Sequence, residues 1–112
     1  MKFWDTNRLD VETHKPEILS SSDAARVIAI QLPTGEQLQE HRVHERTFLF
    51  VVSGDVEIST ADGEAAGGGA GMLAEFDPKE AHEVRAKHDA VLLMFLAPWP
   101  GDGHPGCPEQ LA

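Results

Sequence analysis

The feature that most restricts the fold of this chain is a series of short β-branched and aromatic runs separated by turn-forming residues. No stretch of a dozen residues carries the apolar stripe of an amphipathic helix, with its period of 3.6 residues. Several short strands with turns between them are typical of a β-sandwich or a small barrel. The chain is therefore predicted to be all-β. The predicted strands are Arg26–Leu32, Thr47–Ser53, Val56–Thr60, Met72–Phe76, Ala81–Ala86 and Ala90–Ala97.

Two segments of this pattern carry further expectations. Ala65–Gly71 reads AAGGGAG and has neither strand nor helix periodicity, so we predict a loop of small residues. Ala90–Ala97 is apolar on both faces, which places it inside a sandwich or at a subunit contact.

Length, cysteine usage and charge limit the class of protein. The 112 residues are enough for one domain with its own core, and the single cysteine, Cys107, cannot form an internal disulfide. The formal net charge of −10 disfavours nucleic acid as a partner, because phosphate backbones are repelled. The longest apolar run is too short to span a bilayer, and we see no signal peptide. We expect a cytoplasmic protein that does not bind membranes.

A histidine-rich segment precedes the second predicted strand. His41 and His44 lie three residues apart among charged residues. On a regular strand His41 and Val43 share one face and His44 takes the other. His44 would therefore join His41 only if a bulge or turn shifted the register before residue 47. Glu45 and Glu75 are further conceivable oxygen ligands.

Glycines and histidines at fixed spacings give the chain a family resemblance. It resembles the cupin superfamily, whose two short motifs lie on a β-barrel. Residues 25–97 carry the resemblance, and five residues match the motif anchors: Gly35, His41, Gly54, Gly71 and His82. Several other motif positions differ in this chain. Val43 takes the second histidine position and Thr47 the glutamate position of the first motif; Asp77, Lys79 and Ala86 take the Pro, Gly and Asn positions of the second.

The resemblance implies an architecture. It implies a single-domain, cupin-type double-stranded β-helix, or jelly-roll barrel, over residues 25–97. Residues 1–24 would form an N-terminal arm and residues 98–112 a Pro/Gly-rich tail. The segment LPTGEQLQEH would be the strand that leads into the first motif. Small cupins usually pair, so the resemblance also implies a homodimer.

The resemblance implies a site inside the barrel. In metal-binding cupins the motif histidines and glutamate converge on one ion, so His41 and His82, with His44 as a replacement, would be the metal ligands here. The ion would be one divalent transition metal: Zn, Fe, Mn, Ni or Cu. Two imidazoles alone make a weak site for such ions. The residues expected to line the cavity are Val43, Thr47, Phe48, Phe50, Met72, Phe76 and Met94.

Three functions remain open at this point. The first is a protein that binds a small molecule or a metal without turnover, suggested by the lost ligands at Val43 and Thr47. The second is a metal-dependent enzyme of the cupin dioxygenase, isomerase or decarboxylase type, using His41, His44 and His82. The third is a metal-free acid/base enzyme like the sugar epimerases that share the barrel. We rank the third last because the chain contains no tyrosine to partner a histidine.

Overall fold

The prediction of an all-β chain is confirmed. A computed structural model describes residues 1–41 and 43–104, but not the side chains of residues 39–41. Apart from one 3₁₀ turn at Thr6–Arg8, the elements of these residues are strands. In chain order the strands are β1 Glu17–Ser21, β2 Arg26–Leu32, β3 Gln37–His41, β4 Arg46–Thr60, β5 Ala65–Gly69, β6 Leu73–Phe76 and β7 His82–Ala97.

The two longest strands, β4 and β7, form a bent ribbon on which the barrel is built. They pair antiparallel from Arg46↔Ala97 to Thr60↔His82, with register shifts between Val51 and Val56. One half of the ribbon is extended by β2 and β1 beside β7 and by β6 beside β4. The other half is extended by β3 beside β7 and by β5 beside β4. We call these halves the first and the second sheet. Their inner side chains pack together, as in a jelly roll.

A glycine explains how β4 turns between the sheets without ending. Gly54 has a φ of +87°, and a Cβ there would lie 2.6 Å from the Ala90 Cα atom. Only glycine takes this left-handed conformation at such a close approach. We expected separate strands at Thr47–Ser53 and Val56–Thr60, and likewise at Ala81–Ala86 and Ala90–Ala97. The structure corrects this expectation, because each pair forms one strand that bends in its middle.

Two apolar clusters lie on the two faces of the first sheet. The inner cluster fills the barrel; it contains Ile30, Leu32, Leu49, Val51, Val56, Ile58, Phe76, Val84, Ala86, Ala90, Leu92, Met94 and Leu96. The outer cluster contains Val11, Ala29, Val52 and Leu93, with Leu9, Leu19, Phe50, Val91 and Phe95 packed against it. The last strand contributes to both clusters. Its inner face is buried, whereas on its outer face Leu93 is buried and Val91 and Phe95 are partly buried. The strand therefore lies inside the sandwich, as predicted.

The segment predicted as a small-residue loop is largely a strand. β5 pairs with β4 from Asp55↔Gly69 to Ser59↔Ala65. A Cβ at Gly67 would lie 3.0 Å from the Val56 carbonyl oxygen, so the backbones approach too closely for larger side chains. The segment shows no side-chain periodicity because backbone hydrogen bonds, rather than side chains, hold it in place.

The chain ends pack onto the barrel in the part that the structure describes. Within the predicted arm of residues 1–24, β1 joins the first sheet and Val11 is buried in the outer cluster. Within the predicted tail of residues 98–112, Trp99 packs against the inner cluster. Residues 105–112, including Cys107, lie outside the described residues.

Candidate functional site at the barrel mouth

The buried polar residues lie at one end of the barrel. Among the described residues Glu45, Thr47 and His82 are the buried polar or charged side chains, each 1% exposed. Because the ribbon is bent in the middle, both of its ends come to the same end of the barrel. Phe76 connects them, since it lies opposite Thr47 in register and its ring stacks on His82 at 3.9 Å. We call this end the barrel mouth: Glu45, Thr47, Phe76, His82 and residues 98–104.

Glu45 is a buried carboxylate that points into the barrel. It lies in the bend just before β4, two residues before the buried Thr47, and is itself buried. Its Oε2 accepts a hydrogen bond of 2.5 Å from the Gly101 amide. Its Oε1 is buried and has no hydrogen-bond partner among the described residues. Thr47 does not supply a donor to this carboxylate, because its hydroxyl donates a long hydrogen bond of 3.4 Å to the Glu45 backbone carbonyl. A buried carboxylate oxygen without a donor is costly, so this oxygen is suited to accept a hydrogen bond from a ligand.

His82 presents one defined ring nitrogen. Its Nδ1 lies 3.3 Å from the Glu80 carbonyl oxygen, which can only accept, so Nδ1 carries the proton. In the neutral ring Nε2 then holds the lone pair, which is the form that accepts hydrogen bonds or binds a metal. His41 lies directly opposite His82 in the pairing of β3 with β7. The two motif histidines therefore occupy neighbouring backbone positions at the mouth.

His44 lies in a different environment from His82. It sits in a bend before β4, one residue before the inward-facing Glu45. Its ring contacts the His104 ring edge-on at 6.0 Å, and its buried Nδ1 has no hydrogen-bond partner among the described residues. It lines a cavity of about 440 Å³ together with Arg46, Pro78, Lys79, Ala97, Pro98, Gly101 and Asp102.

The described residues do not by themselves form a metal centre. No group of three His, Cys, Asp or Glu side chains among them is placed to hold an ion. Val43 and Thr47 offer no ligand of the kind expected at their motif positions. The side chain of His41 is outside the description, so the predicted set of His41, His44 and His82 stays a prediction.

Glu75, the other conceivable oxygen ligand, faces away from the barrel interior. It lies opposite Phe48 in register and accepts a 2.8 Å hydrogen bond from Arg46, which also contacts Asp77 at 2.8 Å. Hydrogen bonds from Arg46 to Asp77 and then to Glu75 raise the pKa of the guanidinium above its usual value. This carboxylate therefore belongs to an ion-pair network on the rim.

The expected cavity residues divide between the two faces. Val43, Met72, Phe76 and Met94 pack in or against the inner cluster, and Thr47 shares the inward side of β4. Phe48 and Phe50, also expected to line the cavity, alternate with the inward Leu49 and face the other way. Phe50 packs in the outer cluster. The predicted strand Thr47–Ser53 has apolar residues at successive positions, so the sequence could not assign these two phenylalanines to one face of the sheet.

A segment that the sequence presented only as an irregular tail covers the mouth. We call residues 98–104 the strap. The Trp99 ring of the strap packs against the inner cluster, with the Arg26 guanidinium 3.9 Å above it and the His104 ring 4.6 Å away. Gly101 is buried and donates to Glu45. No local sequence signal could have predicted this contact, because 56 residues separate its partners.

Several solved structures share this fold at low sequence identity. An RmlC-like cupin protein from Desulfovibrio desulfuricans superposes with a TM-score of 0.78 at 18% identity, covering 88% of this chain and 97% of that chain. A protein from Thermus thermophilus gives 0.77 at 23% identity, covering 88% and 98%. An RmlC-like cupin family protein with a double-stranded β-helix fold, from Methanocaldococcus jannaschii, gives 0.75 at 20% identity, covering 89% and 93%. At these identities the likeness establishes the fold alone.

Sequence comparison gives the family. A search of the curated proteins finds no significant match. The family model described as the cupin domain matches residues 28–97, which is most of the chain and includes β3 to β7. The chain therefore belongs to the cupin domain family.

Proposed function

We propose that this cupin binds a small polar molecule at the barrel mouth, where Glu45, Thr47 and His82 recognise it. The observation that carries the proposal is the buried Glu45 carboxylate, whose Oε1 has no hydrogen-bond partner among the described residues. A group like this lowers stability unless something binds it. Phe76, stacked on His82, and Trp99 of the strap add apolar surface at the mouth, and a few polar groups in apolar surroundings are typical of ligand sites.

The chemistry of the mouth indicates the class of ligand. Glu45 Oε1 is a carboxylate oxygen that can accept a hydrogen bond, and His82 Nε2 is an acceptor in the tautomer that carries its proton on Nδ1. The ligand should therefore donate, through hydroxyl or amine groups. The net charge of −10 favours neutral or cationic molecules over anions. We propose a small polyhydroxy or amino compound.

A binding screen tests this proposal. Purified protein would be heated with single sugars, polyols and short amines, and the melting temperature recorded. The proposal expects a hit whose stabilisation falls in Glu45→Gln but persists in Glu57→Gln, a carboxylate on the outer surface paired with Lys87 at 3.6 Å. Hits that stabilise all three proteins equally would place binding elsewhere, and native mass spectrometry would confirm the stoichiometry of any complex.

A metal-dependent enzyme of the dioxygenase, isomerase or decarboxylase type is the second candidate. It is favoured by the register of β3 and β7, which places His41 directly opposite the buried His82 at the barrel mouth. One divalent transition-metal ion held by His41, His44 and His82 would act as a Lewis acid toward a carbonyl or enolate oxygen. Elemental analysis of tag-free protein tests this. Metal near one per chain that is lost in His82→Gln would support it, and retention of metal in His44→Ala would remove His44 from the site.

We also propose a homodimer formed through the outer face of the first sheet. This proposal is supported by partly exposed apolar residues on that face, among them Phe50 and Phe95, and by Leu73, which lies opposite Phe50 in register and is 61% exposed. Such faces mark contact sites more often than free surface. Light scattering would give twice the chain mass for the native protein and a smaller mass for Phe50→Glu.

The remaining expectations concern partners and location. The acidic charge argues against nucleic acid as a partner. Among the described residues no helix has the length and apolarity needed to cross a membrane. A cytoplasmic location stays a prediction.

A further inference from the structure

A second cavity, of about 750 Å³, lies on the side of the barrel where β2 and β3 separate. Three segments of the chain form its walls: His14–Pro16 of the arm, Ile30–Leu32 of β2 and the turn and strand at Gly35–Leu38. Arg85 of β7 completes the lining. We call this cavity the side groove. It shares no residue with the barrel mouth.

The arm is fixed across the side groove by specific contacts. Thr13 forms a parallel bridge with Gln31, and its hydroxyl donates to the Gln31 side-chain oxygen at 3.3 Å. His14 adopts a φ of 63°, a left-handed conformation that costs a non-glycine residue energy. The His14 Nε2 atom lies 2.7 Å from the Glu36 Oε2 atom on the opposite wall. These contacts hold the two walls at a fixed separation, so the groove is a built feature and not a gap beside a loose segment.

The floor of the side groove is apolar. Ile30 and Leu32 are buried members of the inner cluster, and Leu38 packs against that cluster. An apolar group that entered the groove would therefore touch the core of the barrel and leave water. The floor favours a ligand with a short alkyl part.

The rim of the side groove carries two cationic side chains, Arg85 and Lys15. Arg85 forms no ion pair or side-chain hydrogen bond in the part of the chain that the structure describes. Lys15 has only Glu12 at 3.8 Å, and both side chains are about three-quarters exposed. The nearest acid in the lining, Glu36, is already engaged by His14. In a chain of net charge −10, an arginine that has no carboxylate partner among the described residues and lies beside an apolar floor is a suitable partner for an external anion.

We propose that the side groove binds a small monocarboxylate with an unbranched apolar tail. The carboxylate lies against the Arg85 guanidinium, with Lys15 adding attraction, and the tail lies on Ile30, Leu32 and Leu38. The guanidinium fork matches the two oxygens of a carboxylate, which a hydroxyl or an ammonium group does not offer. The site differs in place and in ligand charge from the one proposed at the mouth.

Titration of ¹⁵N-labelled protein with hexanoate tests the proposal. The expected result is saturable shifts of the backbone amides at residues 30–32 and 35–38, with affinity in the millimolar range. Arg85→Gln should weaken binding by about tenfold or more, since hydrogen bonds to charged groups are worth that much. Lys87→Gln is the matched control, because Lys87 is a cation on the same strand outside the groove, and it should bind as the native protein does.

Ligand controls separate charge recognition from simple apolar contact. Hexanol and hexylammonium share the tail but lack the carboxylate, and both should bind at least tenfold more weakly than hexanoate. The proposal is overturned if either binds as well as hexanoate, if Arg85→Gln binds unchanged, or if no shifts arise at the groove amides. Glu45→Gln should leave hexanoate binding unchanged, so failure at the mouth and failure at the groove are distinguishable.

Discussion

The two ends of the barrel differ in how their polar groups are hydrogen-bonded. At the bend end, formed by Gly35, Gly54, Asp89 and Ala90, close backbone approach is matched by paired polar groups. Gly35 donates to the Ala86 carbonyl at 2.8 Å, and Asp89 accepts from the Thr34 amide and hydroxyl, each at 2.8 Å. The mouth buries Glu45 and leaves its Oε1 without a hydrogen-bond partner among the described residues. The polar groups of the bend end therefore stabilise the fold, whereas the mouth keeps a buried carboxylate oxygen that costs stability.

The strongest test of this contrast is the substitution Gly54→Ala. A Cβ at Gly54 would collide with the Asp89 carbonyl and the Ala90 Cα, which are backbone atoms that cannot rotate away. We expect the free energy of unfolding to fall by about 3 kcal/mol or more, as for other changes that force strain and overlap in a packed region. Urea unfolding followed by circular dichroism measures this loss.

Gly63→Ala is the matched control for the Gly54 substitution. Gly63 has a similar φ of +95°, but a Cβ there would have nothing within 4 Å. Gly63→Ala should lower the free energy of unfolding only by the cost of the left-handed conformation, about 1–2 kcal/mol. Equal losses in the two variants would show that close packing at the bend contributes nothing, and the contrast between the two ends would fail.

The sequence marked the bend end by local signals, although we read each of the two bent strands there as a pair of strands. The run Arg26–Leu32 has the bounds of β2 as observed, since it is rich in β-branched residues and is followed by the turn residues Pro33 to Gly35. The glycine at position 54 is required by the conformation of its own residue, and such requirements appear directly in a sequence. These local signals indicated a β-sandwich or a small barrel, and the jelly-roll fold was implied by the resemblance to cupins.

The mouth was harder to predict because its contacts are distant in sequence. Glu45 is buried just before β4 begins, and its hydrogen bond to Gly101 depends on how the strap folds back. The side on which His44 lies depends on a bend at residues 44 and 45, which composition does not encode. A strand made of small residues, such as β5, also escapes detection because it has no side-chain pattern.

The substitution Gly101→Ala tests whether the strap is held closely at the mouth. A Cβ there would lie 2.7 Å from the His44 carbonyl oxygen and 3.1 Å from Glu45 Oε2. We expect the strap to shift and the hydrogen bond to Glu45 to be lost, with a smaller loss of stability than in Gly54→Ala, about 1–2 kcal/mol. Fluorescence of Trp99, measured in a Trp4→Phe background, should move to longer wavelength as the ring leaves the inner cluster.

Hydrogen exchange separates a local change from a global one in that variant. Faster exchange confined to residues 98–104 would show that the mouth opens while the bend end stays closed. Glu45→Ala, which removes the acceptor and leaves Gly101 in place, should produce faster exchange at the Gly101 amide as well. Unchanged exchange of the strap in both variants would mean that this contact does not hold it.

The smallest expected effect is a difference in acid sensitivity. Hydrogen bonds from the Thr34 amide and then its hydroxyl lower the pKa of Asp89, and the Thr60 hydroxyl and then the Glu64 amide do the same for Asp62 at the other end. A lowered pKa in the folded state means that the carboxylate stabilises the protein above its unfolded pKa of about 3.9. That contribution is lost as the pH falls through the lower, folded pKa. Asp89→Asn should therefore reduce stability at neutral pH and narrow the gap in melting temperature between neutral and acidic solution.

Asp62→Asn should also narrow the difference in melting temperature between neutral and acidic solution, because the pKa of Asp62 is lowered as well. The effects should add in the double variant, because the two carboxylates bond to separate partners at opposite ends of the barrel. Melting curves over a pH series would show this. A gap as wide in Asp89→Asn as in the native protein would mean that Thr34 holds a neutral amide as well as it holds a carboxylate. A double variant that loses more than the sum would mean that the two carboxylates are energetically coupled across the barrel, so that the stability of the bend end also limits when the mouth can open.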